Sequence, residues 1–271
     1  MSSSAPSPIG FLAPLFVPAN RPDRYHKAAQ SGADGVIIDL EDAVAADDKD
    51  AARATLLSAS IPVGSIVRIN ASGTRWHDAD LEAVKTLATG VMLSKAESAA
   101  QIKNVRAATG DRPVIALVET SRGLDAVREI AQHADRLAFG YIDFSADLGC
   151  SMDRDALIFA RGQIVLASRL ADLIPPLEGV TPSFEDTALV EDDARYAASM
   201  GFGGKLCIHP NQIAPTFAGF RPPQSDIDWA KSILETGDGA VSFNGQMVDA
   251  PVRLRAQRIL NSAKARGTSK P

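Results

Sequence analysis

The chain has 271 residues, 45% of them apolar and 23% charged, a balance that suits a folded protein and excludes a disordered one. That length is large for an ordinary single core and usual for a β/α barrel, which grows as one closed unit. A formal charge of −5 gives no general attraction to polyanions, which argues against nucleic acid or an anionic membrane surface as a partner.

Residues 1–10 read as a disordered polar tail without the charged and apolar regions of a signal peptide. Short β-rich runs follow at 11–18, 35–41, 65–70, 90–95, 114–119, 136–143, 177–181 and 205–209, each separated from the next by a helical segment. This alternation predicts an α/β protein with parallel strands, a (β/α)8 TIM barrel over residues 11–220. Leu124, Val127, Ile130 and Ala131 have helical period, as do Leu157, Ala160, Ile164 and Ala167, so one face of each helix is expected to pack on the sheet. Ser31-Gly32, Thr109-Gly110-Asp111 and Met200-Gly201 stand where helices should stop. The prolines at 222 and 223 mark the start of a C-terminal helical extension, residues 221–271, within the same domain and fraying from Lys264. No run reaches transmembrane length. Cys150 and Cys207 lack a CxxC spacing and read as buried small hydrophobes, so the cytoplasm is the expected location.

Charged residues collect where these runs end. Strand two ends in Asp39, Glu41 and Asp42, strand three in Arg68 and Asn70, strand five in Glu119 and strand six in Asp143. The C-terminal ends of parallel strands share one face, so these acids should meet at one mouth, where their repulsion invites a divalent cation. Glu119 and Asp143 are the expected ligands, and two carboxylates without a His and Cys set favour Mg2+. The competing reading is that each acid pairs with an arginine or caps a helix. Asp39, Glu41 and Asp42 either hold metal-bound water and orient Arg68, or serve as loop and cap residues. Arg68 offers a fork for a carboxylate or a developing oxyanion. His209, before Pro210, reads as a hydrogen-bonded structural residue.

Several segments together resemble the citrate lyase β-subunit-like branch of the HpcH/HpaI aldolase and malyl-CoA lyase group. They are Leu15-Phe16-Val17-Pro18-Ala19-Asn20-Arg21-Pro22, Asp39-Leu40-Glu41-Asp42, Val67-Arg68-Ile69-Asn70, Leu117-Val118-Glu119-Thr120, Phe139-Gly140-Tyr141-Ile142-Asp143, Ile208-His209-Pro210 and Met247-Val248-Asp249-Ala250-Pro251. The resemblance implies that Glu119 and Asp143 bind Mg2+, that Arg68 contacts the substrate carboxylate or thioester oxygen, and that Phe16, Arg21 and Lys27 lie along the thioester arm. It also implies that Asp249, on a lid at 238–251, acts as acid or base in a neighbouring subunit's site, hence a homotrimer or hexamer. Arg21 and Lys27 read equally as solvated charges, and Asp249 as the N-cap of a helix over 251–263. Where relatives commonly have Pro-Lys, this chain has Ser94-Lys95.

The function implied is a Mg2+-dependent carbon–carbon lyase that splits a 3-hydroxyacyl-CoA, such as citramalyl-CoA, malyl-CoA or a citryl thioester, into an acyl-CoA and an α-keto acid. The alternatives are an aldolase on free hydroxy or keto acids, a malyl- or citramalyl-CoA thioesterase, a Schiff-base enzyme using Lys95, and a non-catalytic CoA-thioester-binding subunit.

Overall fold

The computed structural model describes residues 9–87, 89–236, 241–243 and 246–267. Eight strands form one parallel sheet in sequence order: β1 (Leu15–Pro18), β2 (Val36–Asp39), β3 (Ile66–Ile69), β4 (Gly90–Leu93), β5 (Val114–Val118), β6 (Arg136–Phe139), β7 (Leu177–Glu178) and β8 (Gly204–Lys205). Between and after them run α1 (Tyr25–Ala29), α2 (Lys49–Ser58), α3 (His77–Lys85), α4 (Ala99–Thr109), α5 (Ser121–Asp125), α6 (Val127–Ala131), α7 (Tyr141–Leu148), α8 (Arg154–Leu170), α9 (Thr187–Met200) and α10 (Ile213–Phe220). The α/β class and the eight runs read from the sequence are therefore present. The sheet curls so far that its first strand bonds to the segment after its last. Leu15 and Cys207 form a parallel bridge, Phe16 N donates to Cys207 O at 2.9 Å and Lys205 N to Leu12 O at 2.7 Å.

Side chains alternate across the sheet with the two-residue period of a strand. Ile37, Ile66, Met92, Ile115, Leu117, Ala138, Leu177 and Leu206 pack into one apolar cluster on the inner side. Val36, Ile38, Val67, Val91, Leu93, Val114, Ala116, Leu137 and Phe139 face the helices in a second, larger one. The inner phase also places Phe16, Asp39, Arg68, Glu119 and Gly140 inside. Helices end as their glycines require: Gly201 closes α9 with φ 100°, a left-handed geometry costly for any residue with a Cβ.

The opposite end of the sheet is closed by the chain's own beginning. Ile9 and Phe11 are buried in the inner cluster, and Arg136, 2% exposed, donates to Ile9 O, Phe11 O and Pro175 O at 2.7 to 2.9 Å. Burial pushes the Arg136 guanidinium down to about 9, with Asp34 opposing the shift. Ile9 therefore belongs with the core, although the sequence assigned it to the tail; residues 1–8 lie outside the described residues. Arg136→Ala strands three buried carbonyl groups, so urea unfolding should show a loss of about 3 kcal/mol or more.

The structure departs locally from the expected elements at two places. The helix expected around residues 124–131 is broken into α5 and α6 at Ala126, whose φ and ψ are −86° and 3°. Strand six stops at Phe139, four residues short of the expected end, and the chain turns at Gly140 into α7. Asp143 thus stands in the first turn of a helix, where the N-terminal dipole favours a carboxylate. The C-terminal extension comprises α11 (Gln224–Glu235), an antiparallel pair β9 (Val241–Phe243) and β10 (Gln246–Val248), and α12 (Ala250–Gly267). Ala230, Ile233, Val248 and Ala256 give it a small core of its own. The expected lid, 238–251, falls partly at 238–240 and 244–245, outside the described residues. No helix among the described residues is long and apolar enough to cross a membrane.

Candidate active site

A cavity of about 360 Å3 opens at the C-terminal ends of the strands, and Phe16, Asp39, Asp42, Arg68, Glu119 and Asp143 all line it. Asp39, Arg68 and Glu119, spread over 80 residues, are brought together because β2, β3 and β5 each release an inward-facing side chain at the same end, and Asp143 joins them from α7.

Arg68 is tied down by three acids. Its Nε and Nη2 donate to the two Asp39 oxygens at 2.7 and 2.6 Å, its Nη1 lies 3.0 Å from Glu41 Oε2 and 3.6 Å from Asp42 Oδ2, and the guanidinium stacks 4.7 Å above the Phe16 ring. Asp39 is itself set by the backbone, accepting from Glu41 N and Ala43 N at 2.8 and 2.9 Å. It therefore orients Arg68. Burial alone would discourage the charge on Arg68, yet Asp39 and Glu41 outweigh it and hold the guanidinium firmly protonated.

Glu119 is 4% exposed and accepts from Lys95 N at 2.9 Å. Among the described residues no cation lies within ion-pair distance of it. Burial, reinforced by the charge of Glu41, pushes its carboxyl up to about 8. Gly140 makes this packing possible: a Cβ there would lie 2.4 Å from Glu119 Cγ and Oε1. Asp143 is more open, its side chain 38% exposed, and it pairs with Lys95 Nζ at 2.8 Å. The same ammonium reaches Glu41 Oε1 at 2.8 Å. Burial acts against the charged form of Lys95, but bonds to Asp143 and Glu41 prevail and raise it above the usual lysine value. A lysine held so firmly protonated is a poor Schiff-base nucleophile. Asp42 is pushed up to about 6 by its partial desolvation in the mouth and by the adjacent Glu41 carboxylate, while Glu41 is drawn down because Arg68, a hydrogen bond with Asp42 and Lys95 together overcome its burial.

Asp39, Glu41, Asp42 and Asp143 are thus paired, contrary to the sequence expectation, whereas Glu119 meets only the Lys95 backbone N–H; among the described residues Arg68 and Lys95 are the two cations set against these five carboxylates. That surplus of hard oxygen donors, with a buried carboxyl reluctant to ionise alone, fits a hard divalent cation. Among the described residues no cluster of three or more His, Cys, Asp and Glu side chains has metal-holding geometry, so the fit rests on Glu119 and Asp143 with further oxygens from water or substrate.

Arg21 and Lys27 are not in the cavity wall; both are exposed, and Arg21 pairs with Asp23 at 3.0 Å. Asp249 is also outside the wall, its Oδ1 accepting from Val252 N at 3.2 Å in the first turn of α12 as an N-cap does. His209 is structural in its contacts, accepting from Asn211 N at 3.2 Å and stacking on Phe184.

Sequence reasoning passed over Lys49. It is 6% exposed, donates to Leu40 O and Glu41 O at 2.9 and 2.7 Å, and lies against the Trp76 ring, so it fixes the loop that carries Glu41. A lysine at a helix start reads as solvated, and nothing local in the sequence distinguishes this one. Ser94 is fully buried, and its Oγ has no hydrogen-bond partner among the described residues.

Residues 12–210 match the family described as HpcH/HpaI aldolase/citrate lyase. A citrate lyase subunit beta-like protein of Mycobacterium tuberculosis is 41% identical over 264 residues, covering 92% of this chain and 94% of that protein. A (3S)-malyl-CoA thioesterase of Cereibacter sphaeroides is 32% identical over 94% of this chain and 95% of its own length. The human mitochondrial citramalyl-CoA lyase is 29% identical over 97% of this chain and 88% of its own. Among solved structures, protein CitE from Mycobacterium tuberculosis in complex with magnesium, acetoacetate and coenzyme A superposes with a TM-score of 0.87 at 39% identity, covering 95% of this chain and 100% of that one. The chain belongs to the HpcH/HpaI aldolase/citrate lyase family, in its citrate lyase β-subunit-like branch.

Proposed function

We propose that the chain is a Mg2+-dependent carbon–carbon lyase that cleaves a 3-hydroxyacyl-CoA, of the citramalyl-CoA, malyl-CoA or citryl thioester kind, into an acyl-CoA and an α-keto acid. The observation that carries this reading is the convergence of Glu119 and Asp143 on one cavity beside Arg68. The fold is read as a closed (β/α)8 barrel over 11–220, supported by the bonds from Phe16 to Cys207, just after the last strand, and from Lys205 to Leu12, just before the first, with 221–271 as an extension and lid of the same domain. The magnesium in the related structure supports the choice of ion.

Cleavage sends the electrons of the C2–C3 bond into the thioester fragment as an enolate, while the hydroxyl loses its proton and becomes the keto group. Magnesium held by Glu119 and Asp143 would supply Lewis-acid polarisation of the keto-acid oxygens and a fixed docking charge. Arg68, locked by Asp39, has N–H groups left to face the enolate oxygen without reorganising. Phe16 stacks on that guanidinium and walls the pocket, Asp42 lines its polar side, and Glu41 supports Arg68 by pairing with it. Arg21 and Lys27 are assigned to the outer thioester arm on the family resemblance. Two proton transfers complete the reaction, loss of the hydroxyl proton to a base and protonation of the enolate carbon by an acid, and Asp249 is assigned one of them, across a subunit boundary in a homotrimer or hexamer.

The test follows α-keto acid, acyl-CoA and free CoA from citramalyl-CoA and malyl-CoA, with Mg2+ and after EDTA. Equal amounts of keto acid and acyl-CoA, lost in EDTA and restored by Mg2+, are expected. Full turnover in EDTA contradicts the reading. Free CoA without keto acid identifies a thioesterase, the activity of the Cereibacter relative. Tight binding of both thioesters without turnover identifies a non-catalytic binding subunit.

A further inference from the structure

Lys95 stands out in its backbone and in its contacts. It and Asp172 are the two non-glycine residues with positive φ among the described residues, Lys95 at 47°. L residues with long side chains seldom adopt that conformation, and it persists where surrounding bonds over-determine it. Here the bonds are three. The Lys95 N–H donates to Glu119 Oε2 at 2.9 Å, and Nζ lies 2.8 Å from both Glu41 Oε1 and Asp143 Oδ2. One residue in the loop after β4 thereby joins carboxylates from the loop after β2, from the end of β5 and from α7.

We propose that Lys95 is a positioning residue: it holds these three carboxylates in register and, by competing for Asp143, lowers the affinity of the site for a divalent cation. The inference rests on the reading of Glu119 and Asp143 as the cation's ligands. A cation binding there must take Asp143 from an ammonium. The Lys95 side chain is one-third exposed and ends a flexible stem, so it can give up Asp143 while keeping Glu41, to which it is already bonded. Its backbone N–H continues to hold Glu119 whatever the side chain does. Arg68 does not take over, because its guanidinium is held on Asp39 and Glu41 and makes no ion pair with Asp143 among the described residues. The site therefore carries its own weak substitute for the ion. The carboxylates stay organised without a divalent cation, and binding one is an exchange rather than a capture of bare charges.

The test is Mn2+ binding to the full chain, read from the electron paramagnetic resonance of free Mn2+ alongside thermal melts, for wild type, Lys95→Met, Lys95→Gly and Glu119→Gln. Lys95→Met should bind Mn2+ about tenfold more tightly, since one like charge a few ångströms away is removed. Its metal-free melting temperature should fall and its Mn2+-induced rise should grow. Lys95→Gly keeps the N–H, relieves the positive φ and should bind Mn2+ more tightly too, which covers the case of a poorly folded Met variant. Unchanged or weaker Mn2+ binding in both variants overturns the proposal. Should Glu119→Gln bind Mn2+ like wild type, the ligand assignment fails and this inference with it. Loss of the ion in Glu119→Gln, together with wild-type affinity in the two Lys95 variants, removes the role of Lys95 alone.

Discussion

Glu119→Gln is expected to lower turnover roughly a thousandfold or more, the upper range for loss of one group that stabilises charge in the transition state. The substitution keeps the size of the side chain and an oxygen to accept from Lys95 N, so the packing against Gly140 should survive. What it removes is the charge. The same variant has a signature in stability. Burial, aided by Glu41, lifts the Glu119 carboxyl from the ordinary 4.5 to about 8. Between those values the unfolded chain has released this proton and the folded protein retains it, so Glu119 makes metal-free stability fall as pH rises, levelling off above about 8. Urea unfolding after EDTA treatment should therefore show wild type losing, relative to Glu119→Gln, on the order of a few kcal/mol between pH 5 and 8.5. Parallel curves for the two proteins would mean that Glu119 ionises normally in the fold.

The second large effect is expected at Arg68. It is the cation that neutralises Asp39, it shares Glu41 with Lys95, and both acids are buried. Arg68→Met leaves the Asp39 charge uncompensated, which in buried pairs costs about 3–5 kcal/mol. Chemical denaturation should show that loss together with the disappearance of activity. Arg68→Lys separates the two roles. A lysine restores a charge but not the two-pronged grip on Asp39, so its orientation toward the pocket is lost. The lysine variant should recover most of the stability and still turn over roughly a hundredfold more slowly, with the change in kcat rather than KM. Near wild-type kcat in Arg68→Lys would show that Arg68 is structural.

Much of this arrangement is legible in the sequence, and the reasons are physical. A parallel strand buried on both faces must be a short apolar run, so runs such as 114–118 announce themselves. A charged residue ending such a run has one direction in which to go, which is how Asp39, Arg68 and Glu119 could be placed at one mouth. Asp143 reaches the same cavity by a different route. The apolar sequence through Tyr141 and Ile142 reads as strand, but Gly140 lets the chain turn into α7, and the acid arrives on a helix. Ion pairing is the larger gap. That Lys95 would link Glu41, Glu119 and Asp143, or that Lys49 would hold the carbonyl groups of residues 40 and 41, depends on contacts across 8 to 54 residues. No periodicity encodes these contacts. Arg21 and Lys27 stand outside the cavity wall, and their place on the thioester arm is read from motif resemblance alone.

Every step of the proposed chemistry depends on Glu119 and Asp143 sharing one hard cation at the mouth of the sheet. Anomalous scattering from crystals grown with Mn2+ would locate that ion without any assay of turnover. A single strong peak within ligand distance of both carboxylates is expected, with Lys95 Nζ turned away from Asp143. A map without a peak there, with Asp143 still bonded to Lys95, would refute the shared site.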